Sequence, residues 1–210
     1  MIRFKNSLSM SIRKLVKTYA IDREGVAAIE FVFVAPIMIG MYFGLAEIST
    51  AISADRRISH ATNVAGDLTT QASTITAANM SEIMTATSLV MGVPSGKLSD
   101  ITMEIASFSK DSSDNIVELG KATLGGPYPE AFDADALDDL ILSQVSGVVV
   151  ARVSYNYEPF KFRFFDTNIR LKETFLLKPR KSATVVFNDG NGGAITDYSC
   201  SFTGTKATCS

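Results

Sequence analysis

Residues 25–48 read GVAAIEFVFVAPIMIGMYFGLAEI, an apolar run broken by two carboxylates, Glu30 and Glu47. From Val26 to Ile48 the run is about 23 residues long, which is enough to cross a bilayer as one helix. A carboxylate inside such a segment is costly unless a partner neutralises it, so Glu30 is a candidate for a specific role. Glu47 lies at the far end, where we expect an interfacial residue. The run therefore predicts a transmembrane helix with a functional acid near its start.

The charges around this run predict how the chain crosses the membrane. Residues 1–25 hold six basic and two acidic side chains, a net charge of +4, and the chain total of −2 leaves −6 for the remainder. A basic flank keeps its end of the chain cytoplasmic, so we expect the rest to be exported. The exported part is acidic and has no basic stripe, which argues against nucleic acid as a partner. A cleaved secretory signal is the alternative, but the run is longer than a signal core and no Ala-x-Ala site follows.

Helical periodicity continues beyond the apolar run. The charges of Asp55, Arg56 and Arg57 mark the emergence from lipid, and the helix then forms a stalk. Small and apolar residues at steps of three and four form a narrow stripe on one face of it. These are Ala51, Ala54, Ile58, Ala61, Ala65, Leu68, Ala72 and Ile75. Because most of them are alanine, we expect the stripe to approach a partner helix closely.

A second helix is predicted after a break around residues 73–76. Thr76 can cap it, and it would run to about Met91 before Gly92, Pro94 and Gly96. One side of it carries Met80, Ile83, Met84, Thr87 and Val90.

Strand patterns dominate from residue 92 onward. Alternation at 101–106, a turn at 111–115 and the segment 116–119 predict a hairpin. Residues 148–157 are rich in β-branched and aromatic side chains and predict a strand that ends before Pro159. Residues 169–178 alternate again, and 183–187 would add an edge strand before a turn at 188–193. Between these strands, Asp133 or Asp135 can cap a short helix with apolar positions Leu137, Leu140, Ile141 and Val145, ending at Gly147.

These patterns predict an α+β fold with a long N-terminal transmembrane and stalk helix, short helices and an antiparallel β-sheet domain. We divide the chain into four regions. They are a basic cytoplasmic leader (1–25), a transmembrane helix (26–48), a stalk helix with a second helix (49–91) and an exported α+β domain (92–210).

The two cysteines, Cys200 and Cys209, lie near the C-terminus. In an oxidising compartment they can close a small disulfide loop. Two free thiols are the alternative, because short disulfide loops are geometrically demanding. A metal site would need further ligands nearby, and the sequence has none there.

Catalytic patterns are not found in the sequence. His60 is the single histidine and belongs to the predicted stalk, where we expect a solvated surface side chain and not a catalytic base. Asp133, Asp135, Asp138 and Asp139 form an acidic cluster that lacks the alternating ligands of a calcium loop. No phosphate-binding loop, zinc spacing or dinucleotide fingerprint occurs. We therefore predict a protein that is not an enzyme and holds no metal or cofactor.

Residues 25–36 resemble a known N-terminal motif. Gly25, four small or apolar residues, Glu30, an aromatic residue and then Ala35-Pro36 are similar to the start of the TadE-like and TadG-like proteins, pseudopilins or minor pilins of the Flp (tight adherence) pilus. The resemblance implies that a prepilin peptidase, a membrane-embedded aspartyl peptidase, cuts between Gly25 and Val26 and leaves 185 of the 210 residues.

The resemblance also implies location and partners. It places the chain in the bacterial inner membrane as a single-pass protein, with a cytoplasmic N-terminus and a periplasmic C-terminal domain, and allows incorporation into the pilus. Other pilin or pseudopilin subunits and the inner-membrane assembly machinery are the implied partners. Later segments at 66–76, 148–157 and 171–180, the last ending in Lys-Pro-Arg, look like further family features. One departure is the missing tryptophan of the second hairpin strand, near 118–119.

Physical reasons support two residues of the motif. After cleavage Val26 would carry a free amino group, and Glu30 could pair with it or with the amine of a neighbouring subunit, cancelling two charges in a low-dielectric setting. The alternative is that Glu30 reaches the membrane surface without a partner. Pro36 removes a backbone donor in mid-helix and predicts a kink.

The predicted function is that of a structural subunit which supports assembly of a Flp pilus and surface adhesion. One alternative is an uncleaved, signal-anchored periplasmic assembly factor. The other is a tethered periplasmic ligand-binding or enzymatic domain.

Overall fold

The computed structural model describes residues 24–137, 142, 146–159, 168–190, 193 and 197–210. The chain divides into two compact units, the first ending at Ile48 and the second spanning Ser49–Ser210. Most of the predicted leader lies outside the described residues.

The described part of the chain contains two α-helices, two short 3-10 helices and eight strands. Helix α1 is Glu24–Thr70 and helix α2 is Ala77–Met91, while Ser95–Asp100 and Ala134–Ala136 are 3-10 turns. The strands are β1 (Thr74–Ile75), β2 (Ile101–Lys110), β3 (Ile116–Leu124), β4 (Val148–Tyr157), β5 (Ile169–Leu177), β6 (Val186–Phe187), β7 (Asp197–Thr203) and β8 (Lys206–Cys209). The α+β prediction is confirmed.

Local signals at both ends of α2 determine its bounds. The Thr76 hydroxyl accepts a hydrogen bond from the Asn79 amide, and the Asn79 side chain accepts one from the Thr76 amide, which completes a capping box. At the other end Gly92 adopts φ 63°, a left-handed conformation that favours glycine. Val90 is exposed and does not lie on the buried side of α2 with Met80, whereas Met91 is buried there. Met91 follows Met80 by eleven residues, close to three full turns, and therefore lies on the same face.

The main sheet has six strands in the order β5-β4-β2-β3-β7-β8 within the described residues. Neighbouring strands are antiparallel except β3 and β7, which are parallel. The hairpin β2–β3 turns where Asp111 Oδ1 accepts hydrogen bonds from the amides of Ser113 and Asn115, at 2.8 and 2.9 Å. The predicted hairpin and the strands β4 and β5 are confirmed.

One expectation for the second half of the chain needs correction, one element was not predicted, and a third expectation lies mostly outside the described residues. The expected edge strand at 183–187 is limited to β6, which pairs in parallel with β1 in a separate two-stranded sheet. The C-terminal hairpin β7–β8 is present, although the sequence patterns do not predict it. Of the short helix expected after Asp133, only the 3-10 turn Ala134–Ala136 is described, and Leu140, Ile141 and Val145 lie outside the described residues.

The larger hydrophobic core lies between the helices and one face of the main sheet. In the alanine-rich stripe Ile58, Ala61 and Ala65 are buried and Leu68 is half-buried, against a sheet face that includes Met103, Ala151 and Val153. The last two residues of the predicted stripe, Ala72 and Ile75, lie beyond the end of α1, and Ile75 belongs to β1. We expected this stripe to meet a partner helix, but it packs on the sheet of the same unit. The approach is so close that a Cβ at Gly66 would lie 2.4 Å from Leu177 Cδ1.

A smaller core covers the opposite face of the sheet, and a buried ion pair lies beside it. Arg152 is 4% exposed and stands directly across from Glu104 on β2. Its Nη1 lies 2.9 Å from Glu104 Oε1, its Nη2 donates to the Glu130 carbonyl at 2.6 Å, and its guanidinium lies 3.8 Å above the Tyr128 ring. Burial raises the pKa of the Tyr128 hydroxyl, although the Arg152 charge acts in the opposite direction. Arg152 therefore ties the segment that contains Tyr128 and Glu130 to the sheet.

Candidate functional site

The first half of α1 has the surface of a membrane anchor. Residues Gly25–Thr70 are the one described helix that is long and apolar enough to cross a membrane, and none of its most apolar window is buried. Its large apolar side chains are exposed, including Phe31 at 70% and Phe33 at 71%. Such a surface is unfavourable in water and favourable in lipid. The single N-terminal apolar helix therefore fits a membrane anchor.

The Gly25–Val26 bond lies in the first turn of α1, which begins at Glu24. The backbone at this junction is helical. Both residues are exposed, and a Cβ at Gly25 would meet no atom within 4 Å. The first amides of a helix have no intrahelical acceptor and glycine is a poor helix former, so only one weak turn would have to unwind to expose the bond.

Glu30 is exposed on the second turn of α1. It follows Val26 by four residues, so the two lie one above the other on the same face of the helix. The geometry thus brings an acid close to the residue that would become the N-terminus after a cut at Gly25.

Pro36 and Glu47 are two further residues of α1 that the sequence singles out. Pro36 lies inside the helix and has no amide hydrogen, so the Val32 carbonyl lacks its usual helical donor. The kink expected at Pro36 stays a prediction. Glu47 is only 3% exposed. Its position at the end of the apolar run does not predict this burial.

Cys200 and Cys209 are joined by a disulfide and stand directly opposite each other on β7 and β8. The amide of Cys209 donates to Ser81 Oγ at 3.0 Å, and the amide of Ala207 donates to Thr85 Oγ1 at 2.9 Å. Both hydroxyls belong to α2. The C-terminal edge strand is therefore held by a covalent bond on one side and by a helix on the other.

Two segments noted for their family resemblance meet at the end of α1. Arg180 Nη2 lies 2.6 Å from Asp67 Oδ1, and the Arg180 amide donates to the Thr70 carbonyl at 3.0 Å. The last carbonyls of a helix need such donors, because they have no partner within the helix. The Lys-Pro-Arg segment therefore caps the C-terminal end of α1.

Those residues considered for chemistry that the structure describes do not converge. Among the residues that the structure describes, no group of three or more His, Cys, Asp or Glu could hold a metal ion. His60 is exposed and lines a shallow groove with Asp67 and Arg180. Asp133 accepts a hydrogen bond from the Asp135 amide at 3.2 Å, while 138–139 lie outside the described ranges.

Comparison with known families gives one match. The model of the family described as TadE-like protein matches residues 25–67, about a fifth of the chain. The matched segment contains the glycine, the acid and the proline discussed above, and the resemblance seen in the sequence is confirmed. No curated protein and no solved structure matches the chain significantly.

Proposed function

Because residues 25–67 are a TadE-like segment, we propose that the protein is a membrane-anchored pseudopilin or minor pilin that supports assembly of a Flp (tight adherence) pilus and adhesion to surfaces. The observation that carries the proposal is an exposed apolar helix that holds Glu30 five residues after Gly25, inside the matched segment. In this proposal α1 is the assembly element, and the unit Ser49–Ser210 makes contacts outside the cytoplasm.

The first element of the proposal is processing by a prepilin peptidase between Gly25 and Val26. The exposed first turn and the open space around Gly25 support it, because a protease needs access to an unwound backbone. Intact-mass measurement of the purified protein tests it. We expect a chain that begins at Val26 in cells with active peptidase, and a chain that begins at Met1 when Gly25→Leu fills the cleavage position. A wild-type protein that keeps Met1 beside an active peptidase would refute processing.

The second element is a pairing role for Glu30. The amine created at Val26 and the Glu30 carboxylate carry opposite charges on one helix face, and each is costly to place alone in lipid. The amine of a neighbouring subunit would reach and neutralise the Glu30 carboxylate only when the two helices have one particular axial offset. Glu30 would therefore set the register of assembly.

Three substitutions separate charge from shape at this position. Glu30→Gln keeps the size and removes the charge, Glu30→Ala removes both, and Glu30→Asp keeps the charge. We expect all three proteins to enter the membrane, while only Glu30→Asp retains measurable incorporation into sheared pili. Normal pilus yield from Glu30→Gln would overturn the pairing role without affecting membrane anchoring.

The third element is location and partners. The +4 flank at residues 1–25 supports a cytoplasmic N-terminus and a periplasmic C-terminal unit at the bacterial inner membrane. Other pilin or pseudopilin subunits and the inner-membrane assembly machinery are the proposed partners. Immunogold labelling with an antibody to the unit Ser49–Ser210 tests incorporation. Label along sheared fibres would mean a fibre subunit, and label confined to cell envelopes would mean an assembly factor at the base.

A further inference from the structure

A groove of about 350 Å³ lies in the unit Ser49–Ser210, between the start of that unit in α1, the end of α2 and the end of β4. We name it the Arg57 groove. Its polar side chains are Thr50, Ser53, Arg57, Tyr155 and Tyr157, and Met91 is among its apolar ones. None of these residues has a role in the assembly mechanism proposed above.

Covalent connection places this groove near the membrane surface. Thr50 is two residues after Ile48, so the two lie within about 7 Å of each other at any angle between the units. The Tyr157 hydroxyl is 3.0 Å from Thr50 Oγ1. A headgroup layer extends roughly 5 to 8 Å beyond the hydrocarbon on each side of a bilayer. One end of the groove therefore lies at headgroup depth if α1 spans the membrane.

Arg57 gives the groove its charge. A Cβ at Gly92 would lie 3.4 Å from Arg57 Nη1, which places the guanidinium at the C-terminal end of α2, where the helix dipole favours a cation. None of its five N–H donors is used by an acceptor among the described residues. Helical side chains lean toward the N-terminal end of their helix, which here is the end connected to the membrane segment. Arg57 is thus an exposed cation that lines the groove, with donors that no acceptor among the described residues occupies.

The other side chains of the groove match a phospholipid headgroup. Burial raises the pKa of the Tyr155 hydroxyl, so it remains a donor at neutral pH. Guanidinium and hydroxyl donors together suit a phosphate oxygen, and tyrosine is enriched at membrane interfaces. Next to Met91, the last turn of α2 exposes Leu89 at 67% and Val90 at 38%. An apolar patch beside a cationic groove fits the boundary between headgroups and acyl chains.

We propose that the Arg57 groove binds the phosphate of a phospholipid in the outward leaflet of the membrane that α1 crosses, with Leu89 and Val90 entering the interfacial layer. This inference rests on the membrane anchoring in the proposed function. The contact would hold the exported unit against the bilayer and would have to be released when the subunit leaves the membrane.

Native mass spectrometry of the full-length protein in mild detergent tests lipid retention, with phosphatidylglycerol as the probe. We expect Arg57→Gln to weaken phosphatidylglycerol retention about tenfold, since a charge-assisted hydrogen bond is lost. Arg57→Lys should retain part of it. Lys181→Gln is the matched control, because it removes one exposed positive charge outside the groove and should change nothing.

A tryptophan reporter tests the position of the apolar patch. The chain has no tryptophan, so a single introduced one gives an unambiguous signal. Leu89→Trp in vesicles of phosphatidylcholine and phosphatidylglycerol should be quenched by brominated lipid. Val117→Trp is the control, because Val117 is also exposed, at 39%, but stands opposite Ser109 on β2, about 26 Å along the strand from Ile101 and Tyr155.

The outcomes separate this inference from the proposed function. If carbonate extracts the wild-type protein from membranes, anchoring itself fails. If the protein stays in the membrane but Arg57→Gln keeps its lipid, or the Leu89→Trp variant is quenched no more than the Val117→Trp variant, only the lipid groove fails. Displacement of the lipid by millimolar inorganic phosphate would mean a site for free phosphate and would also overturn the proposal.

Discussion

Arg152→Met is expected to destabilise the unit Ser49–Ser210 more than any surface substitution. The change removes a cation whose Nη1 lies 2.9 Å from Glu104 Oε1, and the Glu104 side chain is only 13% exposed. It also removes the donor to the Glu130 carbonyl and the cation above the Tyr128 ring. Breaking a buried ion pair by removing one partner costs about 3 to 5 kcal/mol, because the other charge stays buried without compensation. That is a large fraction of a typical stability of about 5 to 15 kcal/mol.

Urea unfolding of the full-length protein in detergent, followed by pulse proteolysis, measures this loss. The double variant Glu104→Leu/Arg152→Met should recover at least about 2 kcal/mol, because it replaces the buried pair by apolar side chains. Lys172→Met is the control, since Lys172 bonds to Glu130 on the surface and an exposed ion pair contributes about 1 kcal/mol or less. The reasoning is refuted if Arg152→Met costs less than about 1 kcal/mol, or if the double variant is no more stable than the single one.

Three further predictions use the same unfolding assay. Thr76→Ala should lower the unfolding free energy by about 1 kcal/mol because α2 loses its cap, and an unchanged urea midpoint would contradict the capping role. Cys200→Ser/Cys209→Ser should cost about 2.5 kcal/mol, the chain-entropy value for a loop of this size, and reduction of the wild-type protein should reproduce it. The hydrogen bond and charge of Lys172 hold the pKa of the Glu130 carboxyl below its usual value, so its stabilising contribution at neutral pH is lost as the pH falls through that lowered pKa. Glu130→Gln should therefore reduce the loss of stability on the acid side, and parallel pH profiles of the two proteins would show that the pair has no effect.

Elements with strong local signals could be predicted from the sequence. The cap at Thr76 and the left-handed Gly92 delimit α2, and the alternation in β2 and β5 reflects the two faces of one sheet. The β-branched run of β4 reflects burial on both faces. These features depend on neighbours within a few residues, so the sequence displays them directly.

Other elements could not be predicted because their stability comes from distant partners. Strands β1 and β6 have two residues each. They are stabilised by pairing with each other, although more than a hundred residues of the chain separate them. Strands β7 and β8 are rich in polar residues, and their place depends on β3, on α2 and on the disulfide. The alanine stripe of α1 predicted a close contact, but the spacing of small residues does not specify whether a helix or a sheet packs against them.

The sequence by itself determined the apolar run, the acid at residue 30 and the glycine five positions before it. Hydropathy and spacing along one helix are local quantities, and they carried both the membrane prediction and the family resemblance. Only the tertiary structure decided which surface buries the stripe of α1, which acid neutralises Arg152 and which side chains surround Arg57. Those outcomes depend on side chains that the fold brings together from distant positions in the chain. Packing and electrostatic interactions between such side chains produce no periodic pattern in the sequence.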